Sequence, residues 1–152
     1  MDRIRAVIQT EFRQFDLEIA KALHSDNQLL NDALDYVRTQ RGKQLRPILV
    51  LLSAGICRGI TNKTIKTAAS LELMHTASLI HDDVVDCSPM RRGQKALHEQ
   101  WNNKIAVLVG DYMLAKSIEL LASTHSNTIL NIAANMTAEL TSGEILQLHA
   151  NQ

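Results

Sequence analysis

The chain has 152 residues, of which 45% are hydrophobic, 21% are charged and only 3% are aromatic. Sixteen basic and sixteen acidic side chains give a formal net charge of zero at pH 7, which argues against nucleic acid or an anionic membrane surface as a partner bound through bulk charge. Few prolines and glycines in a chain rich in Leu, Ile and Ala favour helices over a sheet. No apolar run approaches the ~18 residues of a membrane span, so we expect a single-domain, soluble, cytoplasmic protein.

Apolar periodicity divides the chain into six predicted helices. From Ile4 to Leu23, apolar side chains recur at three- and four-residue steps with charged and amide residues between them, as in an amphipathic helix. Ser25 and Gln28 have the spacing of a capping box for the second helix, and Pro47 suits the first turn of the third. The other helix bodies are predicted at about 29–38, 48–56, 63–87, 103–122 and 127–149. This pattern predicts an all-α bundle.

The stretch Asp82-Asp83-Val84-Val85-Asp86 ends the longest of these predicted helices. Residues four apart lie about 6 Å apart on one helix face, so Asp82 and Asp86 form a pair of carboxylates suited to a cation, whereas Asp83 points about 100° away. Acidic residues at the negative end of a helix need compensation, which Mg²⁺ and the following arginines offer. Taken alone, this string is equally compatible with a solvated acidic helix end.

Two basic pairs lie at element boundaries. Lys43 and Arg46 stand at the entrance of the third helix, where free N–H groups and the positive end of the dipole favour an anion such as a diphosphate. On this motif alone an ordinary solvated basic loop is the favoured interpretation. Arg91 and Arg92 have planar guanidinium groups that suit phosphate oxygens, and their alternative role is to neutralise the end of the acidic helix.

Two further polar residues are unusual for their helices. His75 lies two turns before Asp82 on nearly the same face, which predicts that it reaches the same cavity, although a lone helical histidine is usually structural. Asp111 is the polar exception in the segment 103–122, which is apolar nearly all round. That pattern predicts a buried helix and a partner for the Asp111 carboxylate.

Five motifs stand together in this chain, in one order. They are GKxLRP at Gly42 to Pro47, ELxHxxSLIHDDVVD at Glu72 to Asp86, RRG at Arg91 to Gly93, VGDYML at Val109 to Leu114 and GEILQ at Gly143 to Gln147. With these motifs the chain resembles the trans-isoprenyl diphosphate synthases from about Leu34 to Gln152. The resemblance implies an all-α isoprenoid-synthase bundle around a deep cavity, usually assembled as a homodimer.

The same resemblance implies a reaction. Members of this family join isopentenyl diphosphate head to tail onto an allylic diphosphate, and ionising the allylic substrate requires a metal ion to stabilise the departing pyrophosphate. Magnesium characteristically takes one or two carboxylates plus phosphate oxygens and water. We therefore expect Mg²⁺ as cofactor, with Asp82 and Asp86 as its ligands and with Asp83 and Arg91 completing the candidate catalytic set.

Substrate roles follow from matching the family pattern. Arg91 would contact the allylic diphosphate, and isopentenyl diphosphate would be held by Lys43, Arg46, His75 and Arg92. A second cluster of cations argues against a class I terpene cyclase, which ionises only one diphosphate. The family's usual Gly-Gly-Lys-Arg/Lys segment appears here as Arg41-Gly42-Lys43-Gln44, so one charge is added and another removed.

Length is the larger departure from the family pattern. Family members run to about twice this length, and their second aspartate-rich motif lies in the half that is absent here. We therefore expect residues 1–152 to be the N-terminal part of one helical domain, inactive in prenyl transfer on its own. A noncatalytic partner subunit and a terpene cyclase fragment are the alternatives. The small residues Ala77 and Ser78 precede the aspartates by one turn, which for this family implies a long-chain product.

Overall fold

The computed structural model describes residues 2–150, which form eight α-helices and one short β-hairpin. The helices are α1 (Asp2–Val7), α2 (Gln9–Ala22), α3 (Gln28–Thr39), α4 (Leu45–Cys57), α5 (Asn62–Val85), α6 (Leu97–Gln100), α7 (Asn103–Ala122) and α8 (Asn127–Ala150). The hairpin pairs β1 (Met90–Arg91) with β2 (Gln94–Lys95) antiparallel, placing Met90 opposite Lys95 and Arg91 opposite Gln94. The predicted all-α class is confirmed, and the bounds of the long helices agree with the sequence pattern to within three residues.

Two helix boundaries differ from the prediction. The single helix predicted over 4–23 is interrupted at Ile8, whose backbone leaves the helical region at φ −119° and ψ 26° while its side chain is buried. The second helix is capped by Asn27, whose side chain accepts from the Leu30 amide at 3.1 Å, and not by Ser25. Asn27 sits directly before the first turn, where a side-chain oxygen best reaches the free N–H groups.

Helix α5 is the centre of the bundle. It packs most extensively against α7 and next against α4 and α2. Its start is fixed by a capping box between Thr61 and Thr64. The interior between these helices is filled by large side chains that are almost completely buried, among them Phe15, Leu34, Leu51, Leu73 and Met113.

Helix α7 is less covered than the sequence suggests, and α8 is exposed or only partly buried at every described position. Only one face of α7 is buried, and Leu108 and Ile118 on the opposite face are 62% and 57% exposed. The prediction of a fully buried helix at 103–122 is therefore wrong for the described part of the chain. No residue of α8 is buried within that part. Apolar composition alone does not say which face has a neighbour. Within residues 2–150, no helix combines the length and the hydropathy that a membrane-spanning segment requires.

Candidate active site

The acidic end of α5 is terminated by a Schellman motif. Cys87 adopts a left-handed conformation at φ 52°, the Ser88 amide donates to the Asp83 carbonyl at 3.0 Å, and the Cys87 amide donates to the Val84 carbonyl. This arrangement stops the helix directly before Pro89. The three aspartates then differ in environment: Asp83 is buried, Asp82 is half-buried and Asp86 is exposed.

Asp82 stands in a crowded negative field. Burial raises the pKa of its carboxyl group, and the charges of Glu144, Asp86 and Asp83 raise it further, whereas Arg91 acts in the opposite direction. Glu144 comes from α8, in the GEILQ motif, so a carboxylate from another helix adds to the field of the pair on α5. A divalent cation would relieve this repulsion.

Asp82 and Asp86 would suit a magnesium ion, which takes only some of its ligands from the protein, better than a metal ion that is coordinated entirely by side chains. Within residues 2–150, no group of three or more Asp, Glu, His or Cys side chains is arranged to hold a metal ion. Mg²⁺ needs less, because it keeps several waters and takes the rest of its oxygen ligands from substrate phosphates. Asp82 and Asp86 supply oxygen donors one helical turn apart, and such a pair would fit a magnesium ion of this kind.

Asp83 faces away from that pair and binds Arg91. The Arg91 Nε lies 3.0 Å from Oδ1 and 2.9 Å from Oδ2 of Asp83, and the Arg91 Nη2 also pairs with Oδ1. The side chains are 30% exposed for Arg91 and 5% for Asp83. The hydrogen bond to Asp83 is the main reason why the pKa of Arg91 is raised above its ordinary value. In this structure Asp83 is the counter-ion that holds Arg91.

The β-hairpin presents both arginines. Its two-residue turn has positive φ at Arg92 (52°) and Gly93 (80°), the conformation that matches the twist of tight hairpins. The hairpin is fixed to α3 through the Lys95 carbonyl, which accepts from the Tyr36 hydroxyl at 2.9 Å and from the Gln40 side chain at 2.8 Å. The sequence alone does not predict this hairpin, because an Arg-Gly pair is not one of the usual turn signals.

Arg92 reaches back to the loop before α4. Its Nη1 donates to the Gln40 carbonyl at 2.6 Å, and its guanidinium lies against Gly42. A Cβ at position 42 would stand 2.6 Å from the Arg92 Cζ, closer than atoms can pack. Gly42 is therefore required for the close approach of Arg92 to this loop.

Arg46, in the first turn of α4, is in contact with His75 of α5. The Arg46 Nη1 lies 2.9 Å from the His75 Nε2. Burial, followed by the charges of Arg46, Arg92 and Arg91, lowers the pKa of His75 to about 4. The imidazole is then neutral at pH 7, and Nε2 accepts from Arg46, since a guanidinium is always a donor. His75 orients Arg46, and only its other ring nitrogen is left to donate to an anion.

Glu72 completes this side of the site. It lies one turn before His75 on α5, and burial raises the pKa of its carboxyl group, opposed by Arg46, Arg92 and Arg41. A small cavity of ≈ 60 Å³ is lined by Glu72, Asp83, Arg91, Arg92 and Gln44, together with apolar residues from α2, α3, α5 and α7. The side chains of Lys43 and Arg46 are exposed beside it.

An apolar groove opens on the other side of the aspartates. It has a volume of ≈ 780 Å³ and lies between α7 and α8, with Met74 of α5 at its wall. Ala77 does not line it, because that residue is fully buried in the core. Ser78 is half-buried and donates to the His75 carbonyl. Of the two small residues before the aspartates, Ser78 therefore lies on the same side of α5 as Asp82, and Ala77 does not. The residue of α5 that lines the groove is Met74.

An interlock between α5 and α7 was not visible in the sequence. The His81 ring packs on Gly110, where a Cβ would lie 2.2 Å from its Nε2. The same nitrogen lies 3.2 Å from the Val107 carbonyl and 3.5 Å from an Asp111 carboxylate oxygen. Asp111 is 58% exposed, so the expectation of a buried carboxylate was wrong, although its expected partner exists. The interlock fixes the backbone next to Asp82.

Comparison with known proteins agrees with this architecture. The family model described as polyprenyl synthetase matches residues 27–152. An all-trans-nonaprenyl-diphosphate synthase (geranyl-diphosphate specific) from Rhodobacter capsulatus is 40% identical over 97% of this chain and 46% of the relative. A decaprenyl diphosphate synthase structure from the same organism superposes with a TM-score of 0.93 at 34% identity, covering 97% of this chain and 46% of that one.

A second solved structure is informative about ligands. A polyprenyl synthase from Caulobacter crescentus CB15, complexed with calcium and isoprenyl diphosphate, matches with a TM-score of 0.92 and 34% identity, over 97% of this chain and 45% of that one. The chain therefore spans about half the length of the relatives it matches. A family match over residues 27–152 is most of the sequence, and the chain belongs to the polyprenyl synthetase family.

Proposed function

We propose that this chain forms the first half of the active site of a prenyltransferase that condenses isopentenyl diphosphate with an allylic diphosphate. The observation that carries the proposal is the arrangement around α5. Counting about 100° per residue, the face that bears Asp82 has the cationic residues on one side and the apolar groove on the other. An allylic diphosphate has the same division between a charged head and an apolar tail.

Each group of residues has a task in this reaction. Asp82 and Asp86 would hold Mg²⁺, which when bound neutralises the pyrophosphate that leaves the allylic substrate. Arg91, fixed by Asp83, offers its remaining N–H groups to the same diphosphate. Lys43, Arg46, Arg92 and the neutral His75 would bind isopentenyl diphosphate, with Arg46 oriented by His75.

The groove accounts for the proposed class of product. Its lining is dominated by Leu, Ile and Ala side chains from α7 and α8, and the one lining residue from α5 is the flexible apolar side chain of Met74. A groove of ≈ 780 Å³ suits a long polyprenyl tail. We therefore favour a long-chain product over a short one.

The chain spans only about half the length of its relatives, and this affects the activity that we expect of residues 1–152 alone. Two diphosphates and a carboxylate pair concentrate negative charge, and losing one electrostatic contact in such a site commonly costs about 10²–10³ in rate. We expect residues 1–152 alone to bind ligand without measurable prenyl transfer. Self-association through the exposed apolar faces of α7 and α8 is also part of the proposal.

The test is calorimetric titration of the chain with a nonhydrolysable allylic thiolodiphosphate, with and without Mg²⁺. We expect a magnesium-dependent component of binding that Asp82→Ala abolishes. The matched control is Asp35→Ala, which removes a carboxylate that is 72% exposed on α3. Equal magnesium-dependent binding by both variants would contradict the role of Asp82. A partner subunit without catalytic function would lack this component in the wild-type chain.

A further inference from the structure

The N-terminal helix reaches the loop that carries Lys43. The Arg5 Nη2 donates to the Lys43 carbonyl at 3.1 Å and lies 3.3 Å from the Gln44 side-chain oxygen. These contacts join residues 38 and 39 positions apart. Arg5 also lies outside residues 27–152, the part of the chain that the family model matches.

The Arg5 side chain is held in place by contacts with the core. Its guanidinium carbon lies 4.8 Å from the centre of the Phe12 ring, and Phe12 is a buried core residue. Cation–π contacts of this kind hold a guanidinium plane against a ring. The Arg5 Nε is buried and has no hydrogen-bond partner within the described residues, which carries a cost. An apolar side chain would avoid that cost, so what arginine adds here is its reach to the loop.

The loop needs such support. Gln44 precedes α4 in a left-handed conformation at φ 52°, and its side chain makes no capping hydrogen bond to the helix. That conformation is unfavourable for a residue with a Cβ. Arg5 contacts the loop on both sides of the peptide bond that joins Lys43 to Gln44. It therefore holds the backbone that precedes Arg46 and the free N–H groups of the first turn of α4.

Charge points in the same direction. Gln44 has no charge of its own, and the Arg5 guanidinium lies 3.3 Å from the oxygen of that side chain. We propose that Arg5 is a positioning residue for the diphosphate site of Lys43 and Arg46, supplying from α1 the positive charge that position 44 lacks. This inference rests on the proposed function.

The experiment is a titration of the full chain with inorganic pyrophosphate by calorimetry. Lys43→Ala defines the part of the affinity that belongs to this site. Arg5→Gln, which keeps a polar side chain without the charge, should weaken that part about five- to tenfold. The control Arg13→Gln removes one positive charge from an exposed position on α2 and should change the affinity less than twofold. Adding Gln44→Arg to the Arg5→Gln chain should restore most of the loss, which a purely structural role of Arg5 would not allow.

A second measurement does not depend on ligand. The Lys43 carbonyl accepts from Arg5, so Arg5→Gln should speed trypsin cleavage after Lys43 about threefold or more relative to Arg13→Gln, as followed by mass spectrometry. Wild-type chain without Lys43-dependent pyrophosphate binding would overturn the proposed function at this site, and the inference with it. Lys43-dependent binding that Arg5→Gln leaves within twofold, or cleavage at an unchanged rate, would overturn the inference alone.

Discussion

The ion pair between Asp83 and Arg91 gives the sharpest stability prediction. Removing one partner of a fully buried pair costs about 3–5 kcal/mol, because the other charge is left without compensation. Asp83 is 5% exposed and Arg91 is 30% exposed, so the two residues should not be equivalent. After Asp83→Asn, Arg91 regains water, and we expect a loss of about 2–3 kcal/mol in the free energy of unfolding. After Arg91→Gln, the Asp83 carboxylate stays buried without its partner, and we expect the free energy of unfolding to fall by about 3–5 kcal/mol.

The double variant completes the argument. Asp83→Asn with Arg91→Gln leaves no unpaired charge, so its cost should fall below the sum of the two single costs by about 2 kcal/mol or more. The measurement is urea denaturation of the chain at pH 7, followed by far-UV circular dichroism. Asp35→Asn is the control, because Asp35 and Arg38 form an exposed pair at 3.2 Å that should contribute less than about 1 kcal/mol. Additive single costs, or a loss after Asp83→Asn no larger than in the control, would refute this account of the pair.

Two further predictions concern His75 and Gly110. The pKa of His75 in the folded chain, about 4, is below its ordinary value of 6.5. The contribution of neutral His75 to the free energy of unfolding is therefore fully present above pH 6.5 and is lost as the pH falls towards 4. Because His75 is partly exposed, we expect its contribution to be about 1–2 kcal/mol. The wild-type chain should lose this amount of unfolding free energy between pH 7 and pH 4.5, and the His75→Gln variant should not. An unchanged difference would contradict the assignment. Gly110→Ala should destabilise the chain relative to Gly55→Ala by about 1–3 kcal/mol, because a Cβ meets His81 at 2.2 Å in the first case but only ordinary contacts at 3.8 Å in the second. Equal thermal midpoints of the two variants would show that the His81 ring moves aside freely.

The elements that local sequence signals determine were predicted well. The bounds of α5, α7 and α8 follow from apolar periodicity and from Thr61 and Pro89, which act on neighbouring residues. The pairing of Asp83 with Arg91 was not predicted, because it depends on how the hairpin folds back onto α5. Nothing at Arg92 marks a residue that will adopt positive φ.

Packing partners were the other part that the sequence did not reveal. Gly42 and Gly110 each make room for a side chain from a distant element, and a glycine in the sequence does not say what approaches it. The buried position of Ala77 has the same origin: helical spacing places it near the aspartates, but the neighbour that covers it comes from the tertiary structure. Contacts between distant segments are the information that one sequence read alone lacks.

The two adjacent arginines show how the fold divides one motif between two tasks. In the strand β1 the Arg91 side chain points towards α5 and binds Asp83, whereas the positive φ of Arg92 turns the next side chain towards Gln40 and Gly42. The Arg91 guanidinium therefore acts on the charge of Asp82, and the Arg92 guanidinium lies against the loop that carries Lys43. A hairpin anchored to α3 through the Lys95 carbonyl keeps these positions fixed relative to each other. Under the proposed function, this single short motif would serve the two diphosphates from two separate positions.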